Sequence, residues 1–319
     1  MSQGYYFYTP PSLLDLNDDV LVMICQDLAT LPSQGFPSTS LSLKAFSATC
    51  RRVRSLADPI LFHHVKFSKG FEELPNALRT MNRRRNNSCI RRLTIKIPVF
   101  DFDLDLEWSA QVACRLAHFI RSLERLETLT VDVLWRVYPE VSTPFFEEVG
   151  FLPRVKTLQV ASDTGLLITR CPSVVALVGS VIPNYQISYL QTTPQLFRID
   201  VRSKWDLQSL AFLNHTLPNL QELGVVAIGR GCELLRELRH LRHLRVLAID
   251  ARDWENDSHE LPREVVELQA PLVFQACRRL EVLWVGELFV VTVNRAEQRM
   301  VVKECVDESW GGRDFVRLS

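Results

Sequence analysis

LPNLQELGV, residues 217–225, joins a proline-containing turn to a short run of alternating apolar residues. Leu220 opens an apolar hexad whose second and third apolar positions are Leu223 and Val225. Alternate side chains of a β-strand point to the same face of a sheet. The stretch therefore predicts a turn that leads into a strand, with Leu223 and Val225 facing a core and the residues between them facing outward.

The same hexad recurs along most of the chain. Complete copies begin at Ile90, Leu126, Val155, Leu196, Leu220, Leu244 and Leu280, and a weaker copy with Gly179 in its third position begins at Val174. Successive starts are 19 (155 to 174) to 36 (90 to 126) residues apart, and several spacings fall in the range of about 20–29 residues of leucine-rich repeats. One repeat cannot bury its apolar face, whereas stacked repeats share a continuous core. The pattern therefore predicts an α/β solenoid of parallel strands.

The segments between the hexads are predicted to form the outer layer of the solenoid. Residues 111–122 and 233–243 carry apolar side chains at helical spacing. Short segments before the hexads, such as residues 152–154 and 277–279, predict turns into the strands. We therefore expect helices or loops on the outer face and strands on the inner, concave face.

The outward-facing strand positions predict a binding surface on the concave face. One row of these positions contains Lys96, Asp132, Arg202 and Asp250, and the neighbouring row contains Thr94, Thr130, Gln159, Asp200 and Trp284. A tryptophan in an otherwise polar row is typical of a recognition anchor. The candidate substrate-binding residues are Lys96, Asp132, Asp200, Arg202, Asp250 and Trp284. The alternative is that these are ordinary solvent-facing strand residues.

The C-terminal segment has a different pattern. Residues 289–293 and 300–302 are apolar runs on either side of the polar residues 294–297, which predicts a β-hairpin. A solenoid needs a terminal cap over its last repeat. We expect residues from about 286 to 319 to form this cap, with Trp310 packed on that end.

Composition argues against several classes of protein. Lys+Arg and Asp+Glu balance at 37 each in 319 residues, whereas a nucleic-acid binder usually carries a basic excess. No run approaches the ~18 apolar residues that cross a bilayer, and the N-terminus lacks the basic start and apolar run of a secretory signal. The eight cysteines are far apart and form no C-x-x-C pair. We therefore expect a cytoplasmic or nuclear protein with reduced cysteines and with neither nucleic-acid nor membrane partners.

No catalytic constellation is evident in the sequence. It contains neither a glycine-rich phosphate loop nor a G-x-S-x-G elbow. His240 and His243 have a spacing that metal ligands can use, but without a further ligand at a recognisable distance we interpret them as polar residues of a repeat helix. We therefore predict no catalytic residue, no metal site and no cofactor, and we do not expect an enzyme.

Three short helices are predicted between residues 16 and 65. The first begins near Asn17, a good N-cap, and has carboxylates in its first turn. The second begins after Ser40 and has Arg51 and Arg52 in its last turns, and the third begins at Asp58. Each helix is apolar on more than one side, which exceeds what the core of so small a unit needs. The surplus predicts that this segment docks on another protein.

This N-terminal segment resembles an F-box in its fungal form. The opening motif of the family corresponds to residues 16–21, its second apolar motif to residues 24–28, its Cys-basic motif to residues 50–53 and its closing element to residues 55–62. Asn17 stands where the family usually has proline, and the predicted loop at residues 30–39 is longer than is typical. The downstream hexads resemble the irregular leucine-rich repeats that follow many fungal F-boxes.

The resemblance implies a substrate-recognition adaptor. The F-box would dock on the Skp-type adaptor of a Skp–cullin–F-box ligase, a cullin-RING ubiquitin ligase, and the repeats would hold an unknown protein substrate. The implied regions are an N-terminal arm at 1–12, an F-box domain at 13–68 and a solenoid at 69–319. The implied adaptor contacts are Leu16, Asn17, Val20, Leu21, Ile24, Leu28, Leu43 and Val53. The alternative is a scaffold that binds through its repeats outside any ligase, which the absence of the family's proline favours.

Overall fold

The structure is a computed structural model that describes residues 13–30, 40–68, 70–83, 86–97, 106–133, 139–161, 165–179, 184–205, 207–227, 236–249, 263–286, 289–294 and 299–304. It shows a mixed α/β chain with one long sheet. Within these residues the sheet has eleven strands, and their order in the sheet is their order in the sequence. The first nine strands run parallel and the last two form an antiparallel hairpin. The predicted α/β class with mostly parallel strands is confirmed, and the arrangement is compatible with an α/β solenoid.

Strands and helices alternate along most of the chain. The strands are β1 (His64–Phe67), β2 (Arg92–Ile97), β3 (Thr128–Val133), β4 (Thr157–Val160), β5 (Ala176–Gly179), β6 (Arg198–Trp205), β7 (Glu222–Ala227), β8 (Val246–Ile249), β9 (Val282–Val285), β10 (Phe289–Asn294) and β11 (Arg299–Glu304). The α-helices with both ends in the described residues are α1 (Asp18–Thr30), α2 (Ser40–Ser47), α3 (Arg51–Leu61), α4 (Leu74–Arg83), α5 (Leu106–Arg121), α6 (Pro139–Glu148), α7 (Leu166–Arg170), α8 (Leu207–Thr216) and α9 (Arg263–Ala276). Residues 236–238 are helical as well. Short 3-10 helices are Leu13–Asp15, Phe71–Glu73, Asn86–Cys89 and Asn184–Thr192.

Every hexad begins with a turn that leads directly into the sheet. The N–H of Leu220 donates to the carbonyl of Leu217 at 3.1 Å, and the same bond to the third residue back occurs at the start of the other seven hexads. The next two N–H groups, of Gln221 and Glu222, both donate to the carbonyl of Phe197 in the preceding repeat, at 2.8 and 3.0 Å. Turn and sheet thus satisfy their backbone groups together, and the predicted turns are confirmed.

The second apolar position of each hexad forms a continuous column in the core. The residues of this column pair in register from β2 to β9 and are at most 1% exposed: Leu93, Leu129, Leu158, Leu177, Ile199, Leu223, Leu247 and Leu283. Burying one such side chain stabilises the fold by about 1.5–3 kcal/mol. The weak repeat keeps this register, because Gly179 pairs with Val160.

Two helices are predicted outside the strands, and the structure has the first of them and only part of the second. The helix predicted at 111–122 is α5, which buries Val112, Leu116, Phe119 and Ile120. The helix predicted at 233–243 is wrong beyond residue 238, because residues 239–243 form turns.

The reason lies in the leucine spacing of this segment. Leu241 occupies the turn position equivalent to Leu217, and the N–H of Leu244 donates to its carbonyl at 3.2 Å. Leucines three residues apart fit a helix and also fit this turn. The following strand decides between the two structures.

The sheet begins one strand earlier than predicted. β1 pairs in parallel with β2, so that Val65 lies opposite Leu93 and Phe67 opposite Ile95. The ring of Phe67 meets that of Phe119 on α5 edge-on, with centroids 5.9 Å apart. The sheet therefore starts inside the region 13–68, and only residues 62–63 separate α3 from β1.

Three helices precede the sheet, as predicted, but the second and third have different bounds. α2 ends at Ser47 and α3 begins at Arg51, so Arg51 and Arg52 lie in the first turn of α3 rather than the last turn of α2. The break occurs at Cys50, whose backbone is extended and whose sulfur accepts a hydrogen bond from the N–H of Val53 at 3.4 Å. Cys50 therefore acts as an N-cap. Pro59 lies inside α3 and does not start a new helix.

The C-terminal hairpin is formed as predicted. β10 pairs antiparallel with both β9 and β11 and covers the edge of the parallel strands. Gly286, with φ of 59°, makes the reversal after β9, and its N–H donates to the carbonyl of Ile249 at 2.8 Å. Phe289 and Val291, on β10 of the hairpin, are buried. The predicted packing of Trp310, the arm at 1–12 and the loop after Thr30 lie outside the described residues.

Candidate functional site

The residues at the predicted outward positions form a continuous row across the sheet, in which Thr130, Gly224 and Ala248 are buried. The register aligns, from β2 to β9, Thr94, Thr130, Gln159, Val178, Asp200, Gly224, Ala248 and Trp284. The prediction that Thr94, Thr130, Gln159, Asp200 and Trp284 share one row is therefore confirmed. Trp284 is half-buried and lies opposite Val290 of the hairpin, at the C-terminal end of the row.

The second predicted row is only partly within the described residues. Lys96 and Asp132 lie opposite each other on β2 and β3, and both are exposed. The pairing of β6 with β7 shifts its register after Asp200, where Arg202 lies, and the side chain of Arg202 is outside the described set. Asp250 is outside it as well. The structure thus brings Lys96 and Asp132 together and leaves the rest of this row a prediction.

Asp200 belongs to a half-buried ion cluster on β6 and β7. The Nε of Arg198 on β6 lies 3.4 Å from Oε2 of Glu222 on β7, and its Nη2 lies 4.0 Å from Oδ2 of Asp200. Burial raises the pKa of Glu222, while Arg198 and Arg245 oppose this shift and Asp200 adds to it. A ligand on this part of the sheet would therefore meet charges of both signs.

Glu222 is expected to stabilise the fold toward acidic pH, in the opposite sense to most carboxylates. Its folded-state pKa is raised above the unfolded value of about 4.3, so between these two values the folded chain holds a proton that the unfolded chain releases. The free energy of unfolding contributed by this group therefore rises as the pH falls through the interval. Urea unfolding of wild type and Glu222→Gln, from about pH 7 to about pH 4.5, should show a stability difference that shifts in favour of wild type. A shift in favour of the variant would contradict the assignment.

α1, α2 and α3 form a small unit with its own core. Leu21, Cys25, Leu43, Val53 and Ala57 are at most 2% exposed. Leu21, Leu43 and Val53, which are predicted partner contacts, thus belong to the core of this unit. Their contact with a partner stays a prediction.

The surface of the same unit retains apolar side chains. Val20 and Met23 on α1 are 38% and 62% exposed, and Leu41 on α2 is 59% exposed. Ile24 and Leu28, also predicted as contacts, are half-buried. Sequence reasoning missed Met23 and Leu41 as candidates, because apolar residues lie on more than one side of these helices and periodicity alone does not choose the outward side.

Polar contacts fix the start of α1. The side-chain oxygen of Asn17 accepts a hydrogen bond from the N–H of Val20 at 2.8 Å, which confirms the predicted N-cap. Arg52 donates to the carbonyl of Leu16 at 2.8 Å and pairs with Asp18 at 2.8 Å. Of the predicted partner contacts, Leu16 thus helps to join α1 to α3, and Asn17 caps α1.

No protein-family model matches the chain, and no curated protein matches it. The described helices include none that is both long and apolar enough to cross a bilayer.

Histidines and cysteines occur in several elements of the described part of the chain. Within that part, no three His, Cys, Asp or Glu side chains converge on a possible metal position. His240 and His243 lie in turns rather than on a helix face, and Nδ1 of His243 accepts a hydrogen bond from Arg279 at 3.1 Å. Cys171 and Cys277 are free thiols, and burial raises the pKa of each to about 12. Thiols with so high a pKa are poor nucleophiles.

Proposed function

We propose that the chain is a substrate-recognition adaptor of a Skp–cullin–F-box ubiquitin ligase, acting in the cytoplasm or nucleus. In this proposal α1, α2 and α3 are an F-box that docks on the Skp-type adaptor. The sheet and its outer layer are an irregular leucine-rich-repeat-like solenoid that holds a protein substrate. The chain itself supplies no catalytic residue, because the assembly accelerates ubiquitin transfer through proximity.

The observation that carries the proposal is the apolar surface left on α1 and α2. The unit already has a core around Leu21 and Leu43, so the exposure of Val20, Met23 and Leu41 is not needed for folding. Burying a side chain of this kind is worth about 1.5–3 kcal/mol. Val20 and Met23 lie three residues apart and therefore on one side of α1, and adjacent exposed apolar side chains are typical of an interaction site.

The connection between the unit and the sheet also supports the proposal. α3 is followed by β1 after two residues, and the carbonyl of His63 accepts hydrogen bonds from the N–H groups of Arg91 and Arg92 at 3.0 and 2.9 Å. The three helices are thus tied to the first pair of strands by hydrogen bonds. A short, bonded connection suits an adaptor that must hold one protein at a defined distance from another.

Binding to the Skp-type adaptor tests the proposal. With the full-length chain, we expect calorimetry to give a Kd of about 1 µM or lower. The double variant Val20→Asp, Met23→Asp should weaken binding by about 100-fold or more, since two charges would replace apolar contacts. Its melting temperature should stay near that of wild type, because both side chains are exposed.

The charge control is Gln26→Asp, which places one negative charge, half of the change in the double variant, at an exposed position of α1. This variant should bind as wild type does. Leu21→Asp is unsuitable, because a charge at a buried position would unfold the unit whether or not it binds a partner. Failure of the wild-type chain to bind at about 100 µM would contradict the proposal.

The alternative function is a non-ligase scaffold that binds proteins through its repeats, with α1, α2 and α3 as an N-terminal cap. Its support is the hydrogen bond from the Val20 N–H to Asn17, which accounts for an asparagine at this position without any partner. Under this alternative the Val20→Asp, Met23→Asp variant retains its protein partners, and the adaptor does not bind.

A further inference from the structure

Four arginines line one groove at the edge of the sheet where the parallel strands begin, which is the edge formed by the turns before the strands. The groove lies between the turns that precede β8 and β9 and the C-terminal end of α9, and it has a volume of about 670 Å³. Its lining includes Arg239, His240, Arg242, His243, Arg278 and Arg279. Of the described residues that line it, none is acidic, and none of the four guanidinium groups pairs with a described carboxylate. We call this the basic groove.

Two other arginines near the same edge are paired with carboxylates. Arg245, three residues after Arg242, makes two hydrogen bonds with Glu281 at 2.9 and 2.8 Å. Arg91 pairs with Glu127 in the same position of an earlier repeat. The chain as a whole has a net charge of zero. Among the described residues the basic groove is therefore a local concentration of positive charge, which would attract an anionic ligand.

The repeats supply a comparison within the chain. Arg242 and Arg278 occupy the same turn position, four residues before the first residue of β8 and β9. In the repeats that lead to β4, β5, β6 and β7 this position holds Pro153, Pro172, Pro194 and Pro218. Those turns make the same backbone hydrogen bond. The turn therefore does not require arginine, so the fold does not explain the two arginines.

The two turns also place their side chains within reach of one ligand. Arg279 donates to Nδ1 of His243, its counterpart in the preceding repeat, at 3.1 Å. Neighbouring strands are about 4.8 Å apart, so Arg242 and Arg278 begin at a similar separation. Two guanidinium groups at this separation can bind one carboxylate or two adjacent carboxylates with charge-assisted hydrogen bonds.

An apolar stripe on α9 leads into the basic groove. Leu268 and Leu272 are 75% and 52% exposed and lie one helical turn apart. Gln275 and Ala276, about one turn further on, line the groove. A single-stranded nucleic acid would be better served by the large rings of Phe, Tyr or Trp for base stacking, and the described lining of the groove contains none of these three residues. The combination of leucines and arginines matches a peptide that carries apolar and acidic side chains.

We propose that the basic groove and the α9 stripe bind an acidic segment of a partner protein. Carboxylates of the segment lie against Arg242 and Arg278, and its apolar side chains lie against Leu268 and Leu272. This surface is at the turn edge of the last two parallel repeats rather than on the concave face. The inference does not rest on the adaptor function of α1, α2 and α3.

Fluorescence anisotropy with the full-length chain tests the inference. The probe is a labelled synthetic peptide of repeated Leu-Glu-Glu-Glu units. We expect binding that weakens as NaCl rises from about 50 to about 500 mM. The double variant Arg242→Glu, Arg278→Glu should weaken binding about 10-fold or more.

The matched control is Arg125→Glu, Lys156→Glu, which changes the charge equally at exposed positions on the same edge of earlier repeats. It should bind within about 2-fold of wild type. The variant Leu268→Ser, Leu272→Ser should weaken the Leu-Glu peptide and leave a Ser-Glu peptide unchanged. Unaltered circular dichroism and melting temperature exclude misfolding.

Several results would overturn the inference. The first is no binding of the peptide at about 1 mM. The second is equal weakening by the control and groove variants, which would mean that only overall charge matters. The third is tighter binding of single-stranded RNA or of phosphatidylserine vesicles with the same dependence on Arg242 and Arg278, which would assign the groove to another class of ligand.

Discussion

Replacing Gly179 with valine is expected to destabilise the chain by about 3 kcal/mol, although valine is the residue that the repeat pattern favours there. The third apolar position of the neighbouring hexads holds Val160 and Val201. A Cβ added to Gly179 would lie 2.7 Å from the carbonyl oxygen of Val160. That oxygen belongs to the backbone of the paired strand β4 and cannot rotate away, so β4 and β5 would have to move apart.

Urea unfolding of three variants separates this steric effect from other causes. Gly179→Ala should cost about 1–2 kcal/mol, because its Cβ alone meets the carbonyl. Val178→Ala, on the outward side of the same strand, should cost less than about 1 kcal/mol. If the repeat pattern alone governed this position, Gly179→Val would instead stabilise the chain by about 0.5–2 kcal/mol, as consensus substitutions commonly do. Such a gain would contradict the close approach of β4 and β5.

Val291→Asp is expected to destabilise the chain by at least about 4 kcal/mol. Val291 is fully buried in the middle of the hairpin, opposite Leu283 of β9 and Val302 of β11. Aspartate would lose the apolar contacts of valine and would place a carboxylate among apolar side chains. The carboxylate must then either remain charged in a poor solvent or take up a proton.

The effect should start at the C-terminal end of the sheet, because each repeat of a stacked array is supported only by its neighbours. In the variant, hydrogen exchange should therefore speed up in β9 and β8 well before β3. The control is Thr292→Asp at the next position, where the side chain points to the other face and is half-buried. It should cost about 1 kcal/mol or less. Equal exchange along the whole sheet in Val291→Asp would contradict the capping role of the hairpin.

The parallel sheet was predictable because each hexad begins with a hydrogen-bonded turn and continues with two inward-facing residues. The turn residues and the alternating apolar residues are both recognisable in the sequence. β1 shows where the pattern becomes ambiguous. Phe62, Val65 and Phe67 have the spacing of a hexad, but Phe62 also fits the end of the third helix. In the structure Phe62 is the C-cap of α3, and β1 begins two residues later at His64. Phe62 thus ends α3 and also occupies the first position of a repeat. A pattern search along the sequence assigns a residue to only one of these two roles.

The candidate surfaces were less predictable, for a physical reason. Leu21 and Met23 both fit an apolar helix, and only the positions of α2 and α3 bury one and expose the other. The basic groove depends on two turns that are adjacent in space but 36 residues apart in sequence (242 to 278). Its signal in the sequence is the change from proline to arginine at one turn position, which becomes visible only once the repeats are aligned by their register.

The regular strand order fixes the distance between the surfaces at the two ends of the sheet. β1 follows α3 after two residues, and every later strand adds one step of about 4.8 Å across the sheet. The basic groove at β8 and β9 is therefore about 35 Å from β1, measured along the sheet. Where a flexible linker joins two binding sites, the average length of the linker sets the separation of the two bound proteins. In this chain the number of strands sets that separation. Gaining or losing one repeat would change the reach by one step and leave the surfaces at both ends intact.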